Sequence, residues 1–390
     1  MINPEDYYPY CNTQGQRDLV EQIAKHGSPT AAAKAAGKSD GGYRTRWRLI
    51  KARAASRGLS PEHDMTHTVP ETHIVKGTST LYDESGNIKS QWVKSSINID
   101  NLKQVVEQLS DAIIEELPPR KRIKPPKTAL TNLLTVYPMG DPHIGMYAWH
   151  EETGEDFDCE IAERDLCNAI DRLAAASQPT EQAVIINLGD FFHSDNQEGL
   201  TKRGGNVLDV DSRQQRVTRI GVRIMTYLID QALTKHKKVT VINEVGNHDD
   251  ESSYMLSLIL DAYYRNNKRV TIDLSPATFH YFRFGKILIG VTHGHGCKPD
   301  MLGQIMAADR PADWGETEHR YWYVGHIHHT TKKEVPGCVI ETFRTLAAKD
   351  AWHTAKGYRS GRDMVRITHH KDYGETGRET LGIKQIKGAV

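Results

Sequence analysis

The chain has 390 residues, and 50 basic side chains balance 50 acidic ones. That length holds one large domain or two to three ordinary ones, and the zero formal charge excludes a generic polyanion binder, so nucleic-acid affinity would have to come from local basic patches. No apolar run approaches the roughly 20 residues that cross a bilayer, MINPEDYYPYCNTQGQ lacks the basic and apolar regions of a secretory leader, and the five cysteines are scattered without zinc-ribbon or redox spacing, so reduced thiols in a cytoplasm are expected.

Residues 15–58 read as helices separated by turn signals. In GQRDLVEQIAKHG, Leu19, Val20 and Ile23 share a face and Gly27 is the stop. SPTAAAKAAGKS offers Ser28 or Thr30 as a cap and Gly37 as a stop. GGYRTRWRLIKARAASRG then carries Arg44, Arg46, Arg48, Lys51, Arg53 and Arg57, with Trp47, Leu49 and Ile50 to supply a packing side. Helix, tight turn and basic helix resemble a helix-turn-helix, whose last helix enters the major groove of DNA. The alternative is a helical bundle with a solvated cationic face.

From Thr72 to Ser96, two β-rich runs flank DESGN, a hairpin signal that predicts a small structural sheet. NIDNLKQVVEQLSDAIIEEL places Leu102, Val105, Val106, Leu109, Ile113 and Leu117 at helical spacing. PPRKRIKPPK, a basic run between paired prolines, reads as a linker. The expected organisation is a helix-turn-helix-like DNA-binding segment over 1–60, a hairpin plus amphipathic helix over 61–117, a linker over 118–127 and a catalytic domain over 128–390. Beyond Lys127, apolar strands alternate with helical stretches near 160–176, 212–236 and 251–266, the pattern of an α/β or α+β domain.

Five strands of that domain end in the same way. LLTVYPMGDPHIG ends in Asp141 and His143, and VIINLGDFFHSDN in Asp190 and His193. KVTVINEVGNHDDE ends in Asn247, His248 and Asp249, ILIGVTHGHG in His293 and His295, and YWYVGHIHHT in His326, His328 and His329. Each apolar run stops at a glycine or small turn and then presents oxygen or imidazole donors. In layered α/β folds ligands bind beyond the carboxyl ends of the strands. Two Asp, one Asn and several His converging there suit borderline divalent metals such as manganese, iron or zinc, and do not suit calcium. A core would not collect so many polar groups without ions or mutual bonds to satisfy them. With 19 histidines in the chain most are structural, and His150, His236, His280 and His369 receive no role.

The order Asp-x-His, Gly-Asp, Gly-Asn-His-Asp, His-Gly-His, Gly-His-x-His resembles the calcineurin-like metallophosphoesterases over about residues 130–345. The resemblance implies a four-layer β-sandwich flanked by helices and a centre of two divalent metals, manganese first, with iron, zinc, nickel and magnesium as alternatives. It further implies that Asp141, His143 and His328 bind one metal, that Asn247, His293 and His326 bind the second, and that Asp190 bridges them. His248 then sits beside the scissile phosphate with Asp249 as its orienting partner, and a water between the metals attacks phosphorus. GDFFHSDN lacks the arginine of protein Ser/Thr phosphatases, and its His193 resembles that of the SbcD-type DNA-repair nucleases. This implies an extra substrate-facing catalytic residue, or a bond to a metal ligand. The arrangement is also similar to bacteriophage-encoded calcineurin-like phosphoesterases, which would place the protein in a host cytoplasm.

Two further stretches suit a nucleic-acid backbone. EGLTKRGGNVLDVDSRQQR carries Lys202 and Arg203 beside paired glycines. RTLAAKDAWHTAKGYRSGRD interleaves Lys349, His353, Lys356, Arg359 and Arg362 with Trp352 and Tyr358, as stacked bases and phosphates require; a C-terminal element with its aromatics packed inward is the competing account. The expected activity is a metal-dependent DNA nuclease, with DNA as partner, no membrane, and self-association left open. A phosphodiesterase or phosphatase for small nucleotides or phosphoproteins is the first alternative, and a non-catalytic DNA-binding protein the second.

Overall fold

The computed structural model describes residues 3–61, 65, 69, 73–83, 88–97, 123–197, 199–201, 205 and 207–388. The amphipathic helix expected before residue 118, the first half of the linker, and Lys202 and Arg203 lie outside the described residues. The chain divides into two units, residues 1–105 and 106–390.

In the first unit a 3-10 turn, Pro4–Tyr10, precedes three helices, Gln14–His26, Pro29–Ala35 and Asp40–Ser56. Gly27 ends the first helix at φ 80°, and Ser28 caps the second by accepting the Ala31 N–H at 3.1 Å. Leu19, Val20 and Ile23 meet Tyr43, Trp47, Ile50 and Ala54 in one small core. The spacing of those last four residues defines the inner stripe of the third helix. Leu49, expected on that packing side, falls off the stripe and is exposed. Strands β1 (His73–Tyr82) and β2 (Ile88–Ile97) form the expected antiparallel hairpin, with Thr78 opposite Val93.

The second unit is built on two mixed sheets. The first has the order β13-β12-β3-β4-β5-β6, with β3 (Leu130–Met139), β4 (Thr180–Asn187), β5 (His236–Asn243) and β6 (Val270–Ile272) parallel. The antiparallel pair β12 (Asp363–His370) and β13 (Gly374–Gly382) completes it. The second has the order β10-β11-β9-β8-β7, in which β8 (Ile287–Thr292), β9 (His319–Val324) and β11 (Cys338–Thr342) run parallel. Antiparallel β7 (His280–Phe284) and β10 (Thr331–Val335) form its edges.

Side-chain alternation along the strands sets the layers. Ile287, Ile289 and Val291 of β8 pack against Leu134, Val136, Val184 and Ile186 of the other sheet. Leu288 faces the opposite way, with Trp322 and Ile340, onto Leu302 and Met306 of the helix Leu302–Asp309. The helices Cys159–Ala175, Gln214–Lys235 and Ser252–Tyr264 lie within about two residues of their expected ranges and pack on the six-stranded sheet. The stack is helix, sheet, sheet, helix, the four-layer architecture implied by the calcineurin-like resemblance. Among the described residues no helix is long and apolar enough to cross a membrane.

Candidate metal centre

The five polar endings follow five parallel strands, and pairing register brings them level. Met139, Asn187 and Asn243, the last residues of β3, β4 and β5, lie in one row of the first sheet. Thr292 and Val324, the last residues of β8 and β9, pair in the second. The next few residues of each strand therefore emerge at a common rim. The two sheets join there, since the His326 N–H lies 3.0 and 3.1 Å from the two carboxylate oxygens of Asp141. Thr345 Oγ1 donates to the Asp141 carbonyl at 2.6 Å and fixes the same turn.

The backbone at the rim is strained. Asp141, His143, Asp190, His326 and His328 have φ of 41, 47, 49, 69 and 53°, and they are the positive-φ residues other than glycine among those described. Each such conformation costs on the order of 1–3 kcal/mol and persists where the surroundings impose it. All five are expected metal ligands. Two glycines of these loops have a steric reason. A Cβ on Gly246 would lie 1.9 Å from Asp190 Oδ1, and one on Gly189, itself at φ 94°, would lie 2.4 Å from His293 Nδ1.

The side chains form adjoining donor groups. Donor atoms of Asp141, His143 and His328 all lie within 4.8 Å of one another, as do those of Asp190, His293 and His326. In the first group His143 Nε2 and His328 Nε2 face each other at 3.2 Å. In the second, His293 Nδ1 donates to the Leu188 carbonyl at 2.8 Å, which aims Nε2 at Asn247 Oδ1, 3.1 Å away, and Asp190 Oδ2, 3.2 Å away. Nitrogen and oxygen donors aimed at common points, with the His293 ring fixed from behind, are the chemistry of a transition-metal site. The residues fit divalent cations.

The electrostatics agree. Burial pushes the His143 imidazole well below its usual value, and His248 and His328 add to this, so its donor nitrogens are free of excess protons. Burial opposes charge on Asp190, yet His293 outweighs it and holds the carboxyl well below the usual range. Burial likewise opposes the His293 charge, but Asp190 carries it up to about 10. A buried anion that needs a proton on its neighbour is a place where a cation is favoured.

Not every expected role matches the geometry. Asp249 does not orient His248. It is fully buried and accepts the N–H groups of Phe192 and Gly246, both at 2.9 Å, and the Ser253 hydroxyl. It thereby ties the second and third loops together. His248 Nδ1 instead donates to the His193 carbonyl at 2.9 Å, and the His248 N–H donates to Asp190 Oδ1 at 2.9 Å. His193 is buried, its ring stacks on His248 with centroids 5.4 Å apart, and its Nδ1 lies 3.3 Å from His143 Nδ1. That is the position of a group holding two site imidazoles, which is the second of the two roles expected for it. His295 packs beside His293 and His326, at 5.3 and 6.2 Å between centroids.

The expected DNA contacts divide. Arg44, Arg46 and Arg48 are exposed, Lys51 and Arg53 half-buried. Arg53 is committed to Gln16 Oε1 at 2.7 Å, and Arg44 to Thr30 at 3.3 Å and Asp40 at 3.4 Å. Lys349 is half-buried, and Lys356 and Arg359 are exposed. Arg362 is buried, bonding the Leu346 carbonyl at 2.9 Å and pairing with Glu155, whereas the aromatics Trp352 and Tyr358 of the same stretch are exposed, against the inward-packed account.

The sequence reading did not tie two groups to the centre. His353 stacks on His328, with centroids 5.0 Å apart and 23° between planes, and its Nδ1 donates to Asp350 at 2.7 Å. Its stretch was singled out for charge and aromatics, and no spacing tied it to the centre. His280, given no role, bridges Glu244 Oε2 and Asp273 Oδ2, both at 2.9 Å, behind the His293 strand. The glutamate of INEVGNHD, charged at the end of an apolar strand, was the available signal.

No protein-family model matches the chain, and no curated protein matches it. Among solved structures the chain is similar to a predicted phosphoesterase from Streptococcus pneumoniae TIGR4, at 11% identity over 64% of this chain and 98% of that one, with a TM-score of 0.26. It is also similar to Vps29 complexed with zinc from Entamoeba histolytica, at 12% identity over 64% and 99%, with a TM-score of 0.26. A third is a dimetal phosphatase from Danio rerio, at 9% identity over 64% and 99%, with a TM-score of 0.35. At these scores the likenesses transfer no chemistry; this chain's own side chains supply it.

Proposed function

We propose that the chain is a metal-dependent phosphodiester hydrolase acting on nucleic acid. The observation that carries this reading is the pair of donor groups at one rim, set on strained backbone by the ends of parallel strands from both sheets. Asp141, His143 and His328 would hold one divalent cation, and Asn247, His293 and His326 the second, with Asp190 shared; the mixed imidazole and oxygen donors suit borderline divalent metals, manganese being the first expectation and iron, zinc, nickel and magnesium the alternatives. Such a pair neutralises phosphate charge and lowers the pKa of water.

The chain's own residues supply the rest. His248 has its Nδ1–H committed to the His193 carbonyl, which leaves Nε2, 3.9 Å from Asp190 Oδ2, on the side chain's partly exposed edge. From there it can hydrogen-bond a phosphoryl oxygen and deliver a proton to the departing one. His193 keeps that ring and the His143 ring in place. Its presence in GDFFHSDN supports the SbcD-like nuclease reading. The exposed Arg46 and Arg48 of the first unit and Lys356 and Arg359 of the second support DNA as the substrate.

Purified protein with manganese should degrade end-labelled DNA. Asp190→Asn should lower the rate by about 100-fold or more with an unchanged circular dichroism spectrum, because asparagine tolerates the left-handed backbone at position 190. Turnover of a generic diester beside intact DNA of every form would move the substrate to small nucleotides. No turnover of any ester with any of the five metals would sink the hydrolase reading.

A further inference from the structure

The stretch KDAWHTAKGYR, residues 349–359, folds into a short device against the candidate metal centre. Asp350 caps the helix Ala351–Ala355, its Oδ1 accepting both the His353 N–H and the His353 Nδ1–H at 2.7 Å. Gly357, at φ 85°, turns the chain back, and the Tyr358 N–H donates to the His353 carbonyl at 3.0 Å. The turn lays Tyr358 on Trp352, with centroids 5.7 Å apart and planes at 21°. His353 lies against both, 5.1 Å from Trp352 and 5.5 Å from Tyr358, while its ring stacks on His328. One turn of helix thus joins a donor of the centre to an aromatic pair.

That pair is costly where it stands. Trp352 is 55% exposed and Tyr358 44% exposed. Large aromatic surface left in water forgoes burial free energy. Tyr147 and Trp149, on the chain leaving the His143 loop, are half-exposed as well. The helix that Trp149 starts, His150–Thr153, packs beside Ala351–Ala355. Of the surrounding charges, Lys356 and Arg359 on the aromatic pair's own stretch are cationic and exposed, while Glu151 and Glu152 lie on the neighbouring helix. Flat aromatic faces, flanking cations and direct continuity with a phosphate-cleaving centre define one ligand class.

We propose that Trp352 and Tyr358 form a nucleobase subsite, which stacks an unpaired base of the nucleotide next to the scissile phosphate. His353, clamped by Asp350, points its Nε2 at the sugar-phosphate of that nucleotide and sets the spacing between stacked base and reaction centre. The subsite selects single-stranded ends or frayed strands, because a paired base has no free face to offer. This inference rests on the hydrolase reading and names its substrate more closely.

Binding without metal separates the two claims. Fluorescence anisotropy of the full chain in chelator would compare a ten-residue oligo-dT with an abasic strand of the same length. The wild type should bind the base-bearing strand about tenfold more tightly, the worth of one stacked base. Trp352→Ala should erase that preference, Trp352→Phe should keep most of it, and Tyr358→Ala should weaken it. Equal affinity for the two strands, no binding of either, or a preference that survives Trp352→Ala would overturn the subsite. Manganese-loaded wild type on the abasic strand tests the hydrolase reading alone. Absent cleavage with the base preference intact would sink that reading and uphold base stacking by this pair.

Discussion

At single positions, unfavourable conformations are spent where donors must converge. Among the described residues five other than glycine accept left-handed backbone, and all five are candidate metal ligands. Gly246 yields its side chain so that its backbone can touch Asp190, and Asp249 ties the same loop to Phe192 from beneath. His193 belongs to this supporting set, since its Nδ1 meets His143 on the nitrogen that faces away from His328. Its replacement by alanine should reduce manganese affinity by about 10- to 100-fold, the usual effect of removing a group behind a ligand. Isothermal titration would read this directly, and unchanged affinity would return His193 to a purely packing role. Asp190, His143 and their like were visible in the sequence because they break an apolar run. Asp249 was misassigned because adjacency along the chain says nothing of where a carboxylate turns. Its neighbour His248 points to the open side while Asp249 points into the loops.

Among the elements, the parallel strands and the basic helix illustrate opposite degrees of legibility. Apolar runs of β-branched residues that end at glycine read as buried parallel strands, and their register then made the rim unavoidable. The inner strand β12 and the edge strand β13 beside it were not expected, because short runs broken by charged and histidine residues carry a weaker signal. In the helix Asp40–Ser56, the stripe Tyr43, Trp47, Ile50, Ala54 leaves Arg46 and Arg48 outward. If this helix contacts DNA, Arg46→Glu with Arg48→Glu should weaken binding and lower the slope of log affinity against log salt by about one per lost phosphate contact. Turnover of a small diester should stay unchanged, since neither residue belongs to the candidate centre. An unaltered slope would leave the helix a solvated face. Leu49 shows the limit of reading charge and apolarity alone, for one residue of phase decides between core and solvent.

For the molecule as a whole, the two-sheet core buries ionisable groups whose only duty is structural, and these set its acid limit. His236 is buried between Tyr137 and Thr180, at 2.8 and 2.7 Å. Thr180 spends its proton on the Gln182 carbonyl, so it accepts from His236 Nδ1–H, and Tyr137 donates to Nε2. That arrangement needs a neutral ring, and burial lowers its pKa to about 3, while burial lowers His369 to about 4. Both lie below the unfolded value near 6.5. Above that value neither state takes the proton, and stability is independent of these rings. As the pH falls from 6.5 towards 3–4 the unfolded chain binds protons that the fold refuses, and stability is lost. Urea denaturation between pH 7 and 4 should show a decline on the order of 3 kcal/mol per ring. Replacing His236 by glutamine should flatten the curve, and an equally steep one would exclude this ring as the cause.

The sequence alone determined the strand ends, their donors and the layered α/β class, because hydrophobic periodicity and its interruptions are local properties of the chain. Folding was needed to decide which donors share a point, that Asp249 braces loops, that His193 lies behind His143, and that His353 reaches His328 from residues far along the chain. Those outcomes depend on register between strands, on side-chain direction at strained backbone, and on which face of a one-turn helix meets the rim. Each is set by packing between distant segments, a quantity that no local pattern contains.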